Sequence, residues 1–198
     1  MVKDKIRKSL LEQGLTLSSR SIDQLNTQVQ KNIIESLDLS KMKNVLLYFP
    51  YKQEVKTNLL HQELAKYSHN IYMPKIFPER IMKFNLYTSE YSLDKNKYGI
   101  TEVNNEEYLE PHLFDAMFIP FVGVDVNGFR IGYGGGYFDR ALTSLIGSNH
   151  RKPLIIGLGY DYQILSKNLA EPHDLRYHNV VTESRIPVSY THLTLPTT

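Results

Sequence analysis

The chain contains no cysteine and no tryptophan among its 198 residues. Without cysteine it has no disulfide scaffold, no thiolate metal site and no cysteine nucleophile. That composition fits a reducing, cytoplasmic setting. No apolar run approaches the ~20 residues needed to cross a bilayer. The opening stretch, MVKDKIRKSLLEQG, is charged and lacks the apolar core of a secretory signal. The formal net charge is only +2, so a broad basic face is not expected, and neither nucleic acid nor membrane is an expected partner. The seven histidines show no His-x-x-x-His spacing for zinc, and no Gly-x-Ser-x-Gly elbow occurs. Repeats, low-complexity tracts and linkers are missing too. Residues 1–186 are therefore expected to form one domain. The final stretch, PVSYTHLTLPTT (187–198), is similar to a translated sequencing adapter and is expected to lie outside the fold.

Apolar residues make up 41% of the chain, and a chain of this size buries roughly 70% of its unfolded surface. Val2, Ile6, Leu10 and Leu11 form a helical stripe that should stop at Gly14 as a C-cap. A second helix should start near Ser18 or Ser19 and run past Ile34. Asn44 to Phe49 is an apolar run closed by Pro50, the pattern of a buried strand. Thr57 to Tyr67 has helical character. Asn70 to Pro74 and the alternating Met82 to Tyr87 read as strands. Ala116 to Val124 is a further buried run, Gly136 to Leu145 a helix, Pro153 to Gly159 a strand, and Asn179 to Thr182 the last strand. Helices alternating with short buried strands predict an α/β fold, a mainly parallel sheet with helices on both faces.

The stretch NGFRIGYGGGYFDR (127–140) stands apart. Gly132 and Gly134 to Gly136 lie between Arg130 and Arg140, with Asp139 before the second arginine. The dinucleotide fingerprint fails because Tyr137 holds its third glycine position, and no Gly-Lys-Ser/Thr triplet completes a phosphate loop. The local chemistry still points to an anion. Glycines let backbone N–H groups approach a ligand closely, amides leading into a helix N-terminus suit phosphate, and the Arg130 fork can clamp its oxygens. Asp139 makes sense beside phosphate if Mg²⁺ lies between them. Each residue alone also has a plainer role: a turn for the glycines, a surface ion pair for Arg130, and a favourable first-turn acid for Asp139. Together they favour a Mg-nucleotide site.

The motif G-x-R-I-G-Y-G-G-G-Y-F-D-R resembles that of the 5-formyltetrahydrofolate cyclo-ligase family, which favours Tyr where Phe138 stands. The likeness extends over residues 1 to about 186. Lys3 and Arg7 match the family's Lys-x-x-x-Arg, Pro50, Glu54 and Val55 its Pro…Glu-Val element, and Pro120 and Asp125 its Pro-x-x-x-x-Asp element. YGITEV matches Tyr-Gly-Ile-x-Glu-Pro, with Val103 in place of Pro. IIGLGY, PHD and VVTE match the ending. The resemblance implies a three-layer fold of the phosphosugar isomerase and CoA-transferase type. It also implies ATP- and Mg²⁺-dependent closure of 5-formyltetrahydrofolate to 5,10-methenyltetrahydrofolate, with ADP and phosphate released, and a monomer is the expectation.

By the same resemblance, Lys3, Arg7, Arg130, Ile131, Gly132, Tyr133, Gly134, Gly135, Gly136, Tyr137 and Phe138 contact ATP. Phe49 and Glu54 contact the folate, together with Tyr133, Gly134 to Gly136 and Tyr137. Arg130 and Tyr133 act in catalysis, and Asp139 and Asp174 hold Mg²⁺. From spacing alone, Lys3 and Arg7 share a helix face and read as a solvated pair, Glu54 as a surface loop acid, and Asp174 as part of an acidic loop after Pro172. Two other functions compete: a phosphosugar isomerase or CoA-transferase-like enzyme, and an RNA-binding module stacking bases on Tyr133, Tyr137 and Phe138.

Overall fold

The computed structural model describes residues 2–67, 69–146, 153–169 and 175–184. Ten strands and four α-helices are set there. The helices are α1 (Val2–Leu15), α2 (Ser19–Ser36), α3 (Asn58–Ala65) and α4 (Tyr137–Ala141). The strands are β1 (Asn44–Leu46), β2 (Asn70–Ile76), β3 (Met82–Tyr87), β4 (Leu93–Lys95), β5 (Thr101–Val103), β6 (Ala116–Pro120), β7 (Gly123–Val124), β8 (Arg130–Ile131), β9 (Leu154–Leu158) and β10 (Asn179–Val181). Six strands form the main sheet in the order β10-β9-β6-β1-β2-β3, and β4-β5 and β7-β8 form two small antiparallel ribbons. All main-sheet pairs are parallel except β2 with β3.

Strand periodicity sorts the core into two layers. Val45 and Leu47, Ala116 and Phe118, and Ile156 and Leu158 face one side, where Val29 and Ile33 of α2 and Leu60 and Leu64 of α3 cover them. Leu46, Met117, Ile119 and Ile155 face the other side, under Phe138 of α4 and Leu142 and Leu145 after it. Both faces are thus covered, as the alternating pattern predicts.

Polar side chains tie α2 to its surroundings. Ser18 caps it by accepting from the Ser21 N–H at 3.1 Å. The buried Asn26 Oδ1 accepts from Lys56 N at 2.7 Å and from the Tyr160 hydroxyl at 3.0 Å. Gln30 Oε1 accepts from Leu59 N and Leu60 N at 2.8 and 3.3 Å, satisfying first-turn amides of α3. Asn32 Nδ2 donates to the carbonyls of Thr182 and Glu183 at 2.8 and 3.0 Å. One helix therefore fixes the chain after β1, the start of α3 and the exit of β10.

Three expectations need correction. Gly14 lies inside α1 and is buried. A Cβ there would meet the ends of the Gln53 and Tyr162 side chains, which would have to shift. The helix expected over Gly136 to Leu145 is only Tyr137–Ala141, followed by a 3-10 turn, Thr143–Leu145. The Thr143 hydroxyl bonds the Asp139 carbonyl at 2.8 Å, the kind of local bond that competes with helix propagation. The buried run Ala116 to Val124 is split, because β6 ends at Pro120 and Gly123–Val124 turns away to pair with β8. The short ribbons β4-β5 and β7-β8 were not foreseen. The 187–198 stretch lies outside the described residues.

The topology prepares a crevice. From β1 the chain continues to β2 on one side, whereas β6 is followed in the sheet by β9 and β10 on the other. Loops leaving the carboxyl ends of β1 and β6 diverge at that point, where ligands collect in open α/β sheets.

Gly157 of β9 carries part of this frame. A Cβ there would lie 2.9 Å from the ring of Tyr177, whose hydroxyl reaches the carbonyls of Ile119 and Pro120 at 3.2 and 3.1 Å. Tyr177 is fully buried and cannot swing away. Gly157→Ala should destabilise the fold by about 1–3 kcal/mol, read as a lower denaturation midpoint with an unchanged m-value.

Candidate active site

At the crevice lies a cavity of about 610 Å³. Its walls come from the start of α1, the loop after β1, the ends of β2 and β3, the β4-β5 ribbon, the end of β6, and the glycine stretch leading into α4.

Arg130 is the fixed point. Its side chain is only 8% exposed. Nε donates to the Pro120 carbonyl at 3.0 Å, NH1 lies 3.5 Å from Asp139 Oδ2, and the guanidinium stands 5.2 Å over the Phe138 ring. Gly132 is required beside it, because a Cβ there would lie 2.6 Å from the guanidinium. Gly134 and Gly136 have φ of +95° and +67°, conformations that L side chains avoid. Arg7 crosses from α1 to this loop: its Nε donates to the Gly132 carbonyl at 2.7 Å, and its NH1 pairs with Asp4 at 2.5 Å. Lys3, one turn earlier, also lines the cavity. The glycine segment is thus clamped between two guanidinium groups. Cations converge there on backbone free of side chains, a setting that suits a polyanion.

Glu54 gives the cavity a tuned acid. Burial raises its carboxyl to about 7, opposed by the Tyr51 N–H bond at 2.8 Å and by the charge of Arg130. Burial also pushes the Tyr133 hydroxyl well above its ordinary value. The Tyr133 and Tyr51 rings meet edge to face at 5.3 Å, with the Lys52 ammonium 5.6 and 5.0 Å from their centroids.

The sequence profile of the 5-formyltetrahydrofolate cyclo-ligase family matches residues 1–183. The chain belongs to that family. A cyclo-ligase of Haemophilus influenzae is 31% identical over 177 residues, covering 87% of this chain and 90% of that protein. A cyclo-ligase of Mycoplasma pneumoniae is 26% identical and covers 92% and 99%. Among solved structures, a 5,10-methenyltetrahydrofolate synthetase from Mycoplasma pneumoniae superposes with a TM-score of 0.74 at 25% identity, covering 92% of this chain and 99% of that one. The corresponding Aquifex aeolicus protein gives 0.79 at 28%, covering 94% and 92%.

Fourteen of the fifteen residues singled out from the sequence of this family member line the one cavity: Lys3, Arg7, Phe49, Glu54, Arg130 to Asp139 without gaps. Asp174 lies outside the described residues. Two plainer readings give way. Arg130 is not a surface pair but a buried guanidinium, and Glu54 is not a loop acid facing solvent. Asp139 does sit in the first turn of α4, yet it also lines the cavity, 3.5 Å from Arg130 and 3.3 Å from the Leu175 N–H. Phe138 is buried under Arg130 and Tyr133 packs on Tyr51, so these rings do not form an open stacking platform. Asp125 serves the frame: it accepts from the N–H groups of Asn127, Phe129 and Leu169 at 2.9, 2.9 and 3.0 Å, shaping the turn between β7 and β8.

Sequence reasoning missed Tyr51, Lys52, Asn96 and Glu102 as cavity residues. Tyr98 to Val103 matches a family element but carries no local mark of a cavity wall. Lys52 has φ +53°, and nothing in its neighbourhood of the sequence marks that conformation.

The raised Glu54 pKa has a definite sign for stability. Between about 4.5 and 7 the folded protein holds a proton that the unfolded chain has released, so this group's contribution falls as pH rises through that window. In melting curves from pH 4.5 to 8, wild type should lose stability relative to Glu54→Gln, by a few kcal/mol at most. Parallel curves would place the Glu54 pKa at its ordinary value.

Proposed function

We propose that the protein closes 5-formyltetrahydrofolate to 5,10-methenyltetrahydrofolate at the expense of ATP and with Mg²⁺, releasing ADP and phosphate. The observation that carries this reading is the buried Arg130 guanidinium set against a glycine backbone, inside one cavity that also holds a tuned carboxyl and an apolar wall. Family membership supports the substrate class.

A formyl oxygen bound to an amide-like carbon leaves poorly. In the proposed reaction it attacks the γ-phosphorus of ATP, and ADP departs. N10 of the folate then attacks the activated carbon, the C–O bond breaks, and the oxygen leaves with phosphate. N10 gives up its proton as the C–N bond becomes part of the methenyl bridge. Glu54, poised at about 7, is a suitable acceptor for that proton. Arg130, Arg7 and Lys3 would offset charge on the phosphoryl oxygens, and the glycine backbone would hold donor and acceptor in line. Phe49 and Tyr133 would pack against the folate.

The α4 helix has only five residues, so loop amides and arginines rather than a helix dipole would bear the phosphates. The donor set suits Mg²⁺, a hard cation that takes one or two carboxylates and completes its shell with phosphate and water. Asp139 is the carboxylate in place: each of its oxygens makes one long contact, which leaves lone pairs for a cation while the Arg130 pair is kept. Asp174, the second carboxylate of the proposed pair, lies outside the described residues. When bound, Mg²⁺ would supply charge neutralisation at the phosphates.

The decisive measurement is the absorbance of methenyltetrahydrofolate formed from 5-formyltetrahydrofolate, with and without ATP. Absence of product, or product formed without ATP, would reject the reading. Asp139→Asn should reduce turnover by at least tenfold and raise the Mg²⁺ concentration needed for half-maximal rate, since Asn keeps the shape but not the charge. An unchanged Mg²⁺ requirement would confine Asp139 to holding Arg130.

Replacing both Lys3 and Arg7 by Gln should raise the KM for ATP at least about tenfold, the loss expected for charge-assisted contacts worth ~1.5–3 kcal/mol each, with the KM for the folate little altered. Arg7→Lys should recover only part of this, because a lysine has no Nε to keep the Gly132 bond. Equal effects on both substrates would reduce α1 to a supporting element.

A further inference from the structure

The β4-β5 ribbon supplies Asn96, Tyr98, Ile100, Thr101 and Glu102 to the cavity. Glu102 is only 8% exposed. Its Oε1 is filled, accepting from Ile76 N and from Asn96 Nδ2, each at 2.8 Å. Asn96 is itself oriented, because its Oδ1 accepts from Tyr98 N at 2.9 Å and Ile100 N at 3.1 Å. The carboxylate is therefore held in one attitude by the hairpin turn and the end of β2.

Its other oxygen, Oε2, has no hydrogen-bond partner among the described residues. Nor is it sealed in the interior: the buried side-chain atoms without partners there are His69 Nε2 and Asn85 Oδ1. Oε2 thus keeps accessible surface, and Glu102 lines the cavity together with Pro74, Ile76, Met82 and Ile100. A carboxylate oxygen in apolar surroundings is costly until a donor reaches it.

The ligand chemistry follows from this wall. Apolar side chains suit the face of a flat ring, and a single acceptor oxygen suits an edge made of donors. The donors that hold Glu102 are both aimed at Oε1, so Oε2 keeps its accepting capacity, beside the Tyr98 and Thr101 hydroxyls of the same ribbon. Adenine presents an amine next to an acceptor nitrogen. The pyrimidine half of a pterin presents an amine next to a ring N–H, two donors side by side.

We propose that Glu102 Oε2 receives the 2-amino and N3–H donors of the folate's pterin ring, which makes Glu102 a positioning and specificity residue for that substrate. This rests on the reading that the cavity takes 5-formyltetrahydrofolate. The phosphate end of the cavity, at Arg7 and Gly132 to Gly136, is left to ATP.

Glu102→Gln tests it. Glutamine Oε1 can keep the bonds to Ile76 and Asn96, so the hairpin is retained, while an NH2 replaces Oε2 and faces donors with donors. The KM for 5-formyltetrahydrofolate should rise at least about tenfold, as for loss of a hydrogen bond to a charged group, with kcat and the KM for ATP little changed. The wild-type protein should lose a similar factor with the 2-desamino-2-methyl analogue of the substrate, and the variant should discriminate little between the two. That arm needs no variant to fold. An unchanged folate KM in Glu102→Gln, or full wild-type affinity for the analogue, overturns the inference while wild-type turnover leaves the broader reading in place. A rise confined to the KM for ATP assigns this wall to adenine and overturns it as well. If wild type forms no product at all, the broader reading fails, and calorimetric titration of 5-formyltetrahydrofolate into wild type and variant decides the inference alone. Weaker binding by the variant supports it, and equal or absent binding rejects it.

Discussion

A guanidinium buried to within 8% of full enclosure must be satisfied on every side, and the site is organised by that need. Arg130 comes from a two-residue strand, yet its partners come from two other elements: the carbonyl that ends β6 and, in α4, the Asp139 carboxylate and the Phe138 ring. Losing one of these would leave a buried charge short of a partner, a cost of several kcal/mol. The end of the central sheet, the glycine loop and α4 are therefore held in one arrangement. Tyr177 adds to this from the far side by donating to the carbonyls of Ile119 and Pro120, so the acceptor of Arg130 is itself fixed.

The cavity built on this arrangement has two chemical ends. Near the glycine loop are Arg7, Lys3, Arg130 and Asp139, with backbone free of side chains. Phe49, Pro74, Ile76, Met82 and Ile100 offer apolar surface in the same cavity. Glu54 stands between these environments and shows it. Burial lifts its carboxyl to about 7 while Arg130 pulls in the opposite direction. A group balanced in this way changes charge near neutrality, whereas a solvated glutamate would stay ionised.

Much of this was legible in the sequence because the features that carry it are local. Glycines at 132 and 134 to 136 announce backbone that must approach something closely, and Gly134 and Gly136 do have positive φ. Buried strands such as Ala116 to Pro120 are legible as apolar runs. Other features depend on partners distant in the chain and left no periodic trace. Asn26, Gln30 and Asn32 read as the polar side of a helix, yet each is buried and satisfies backbone groups 29 or more residues away. The β4 strand is exposed throughout, so no alternation marked the ribbon that brings Glu102 to the cavity. Gly14 followed an apolar stripe and looked like a helix stop. What it does depends on Gln53 and Tyr162, which no local rule could supply.

That glycine bears on how the anion-binding end is assembled. The cationic residues Lys3 and Arg7 come from the first two turns of the chain, outside the sheet. Of α1 only Leu10 and Gly14 are buried, so a broad apolar face does not dock it. Close approach does so at two points. Gly14 admits Gln53 of the loop after β1 and Tyr162 of the turn after β9, and Gly123 of β7 leaves room for Leu10, whose Cδ1 would otherwise meet a Cβ at 2.8 Å. With α1 seated there, Arg7 Nε reaches the Gly132 carbonyl. The missing side chains at Gly14, Gly123 and Gly132 thus serve one geometric end. Two let the first helix lie against the body of the protein, and the third lets the guanidinium of Arg130 lie against the loop that Arg7 grips. Enlarging Gly14 or Gly123 would act on Arg7 through the seating of α1, without touching the cavity itself.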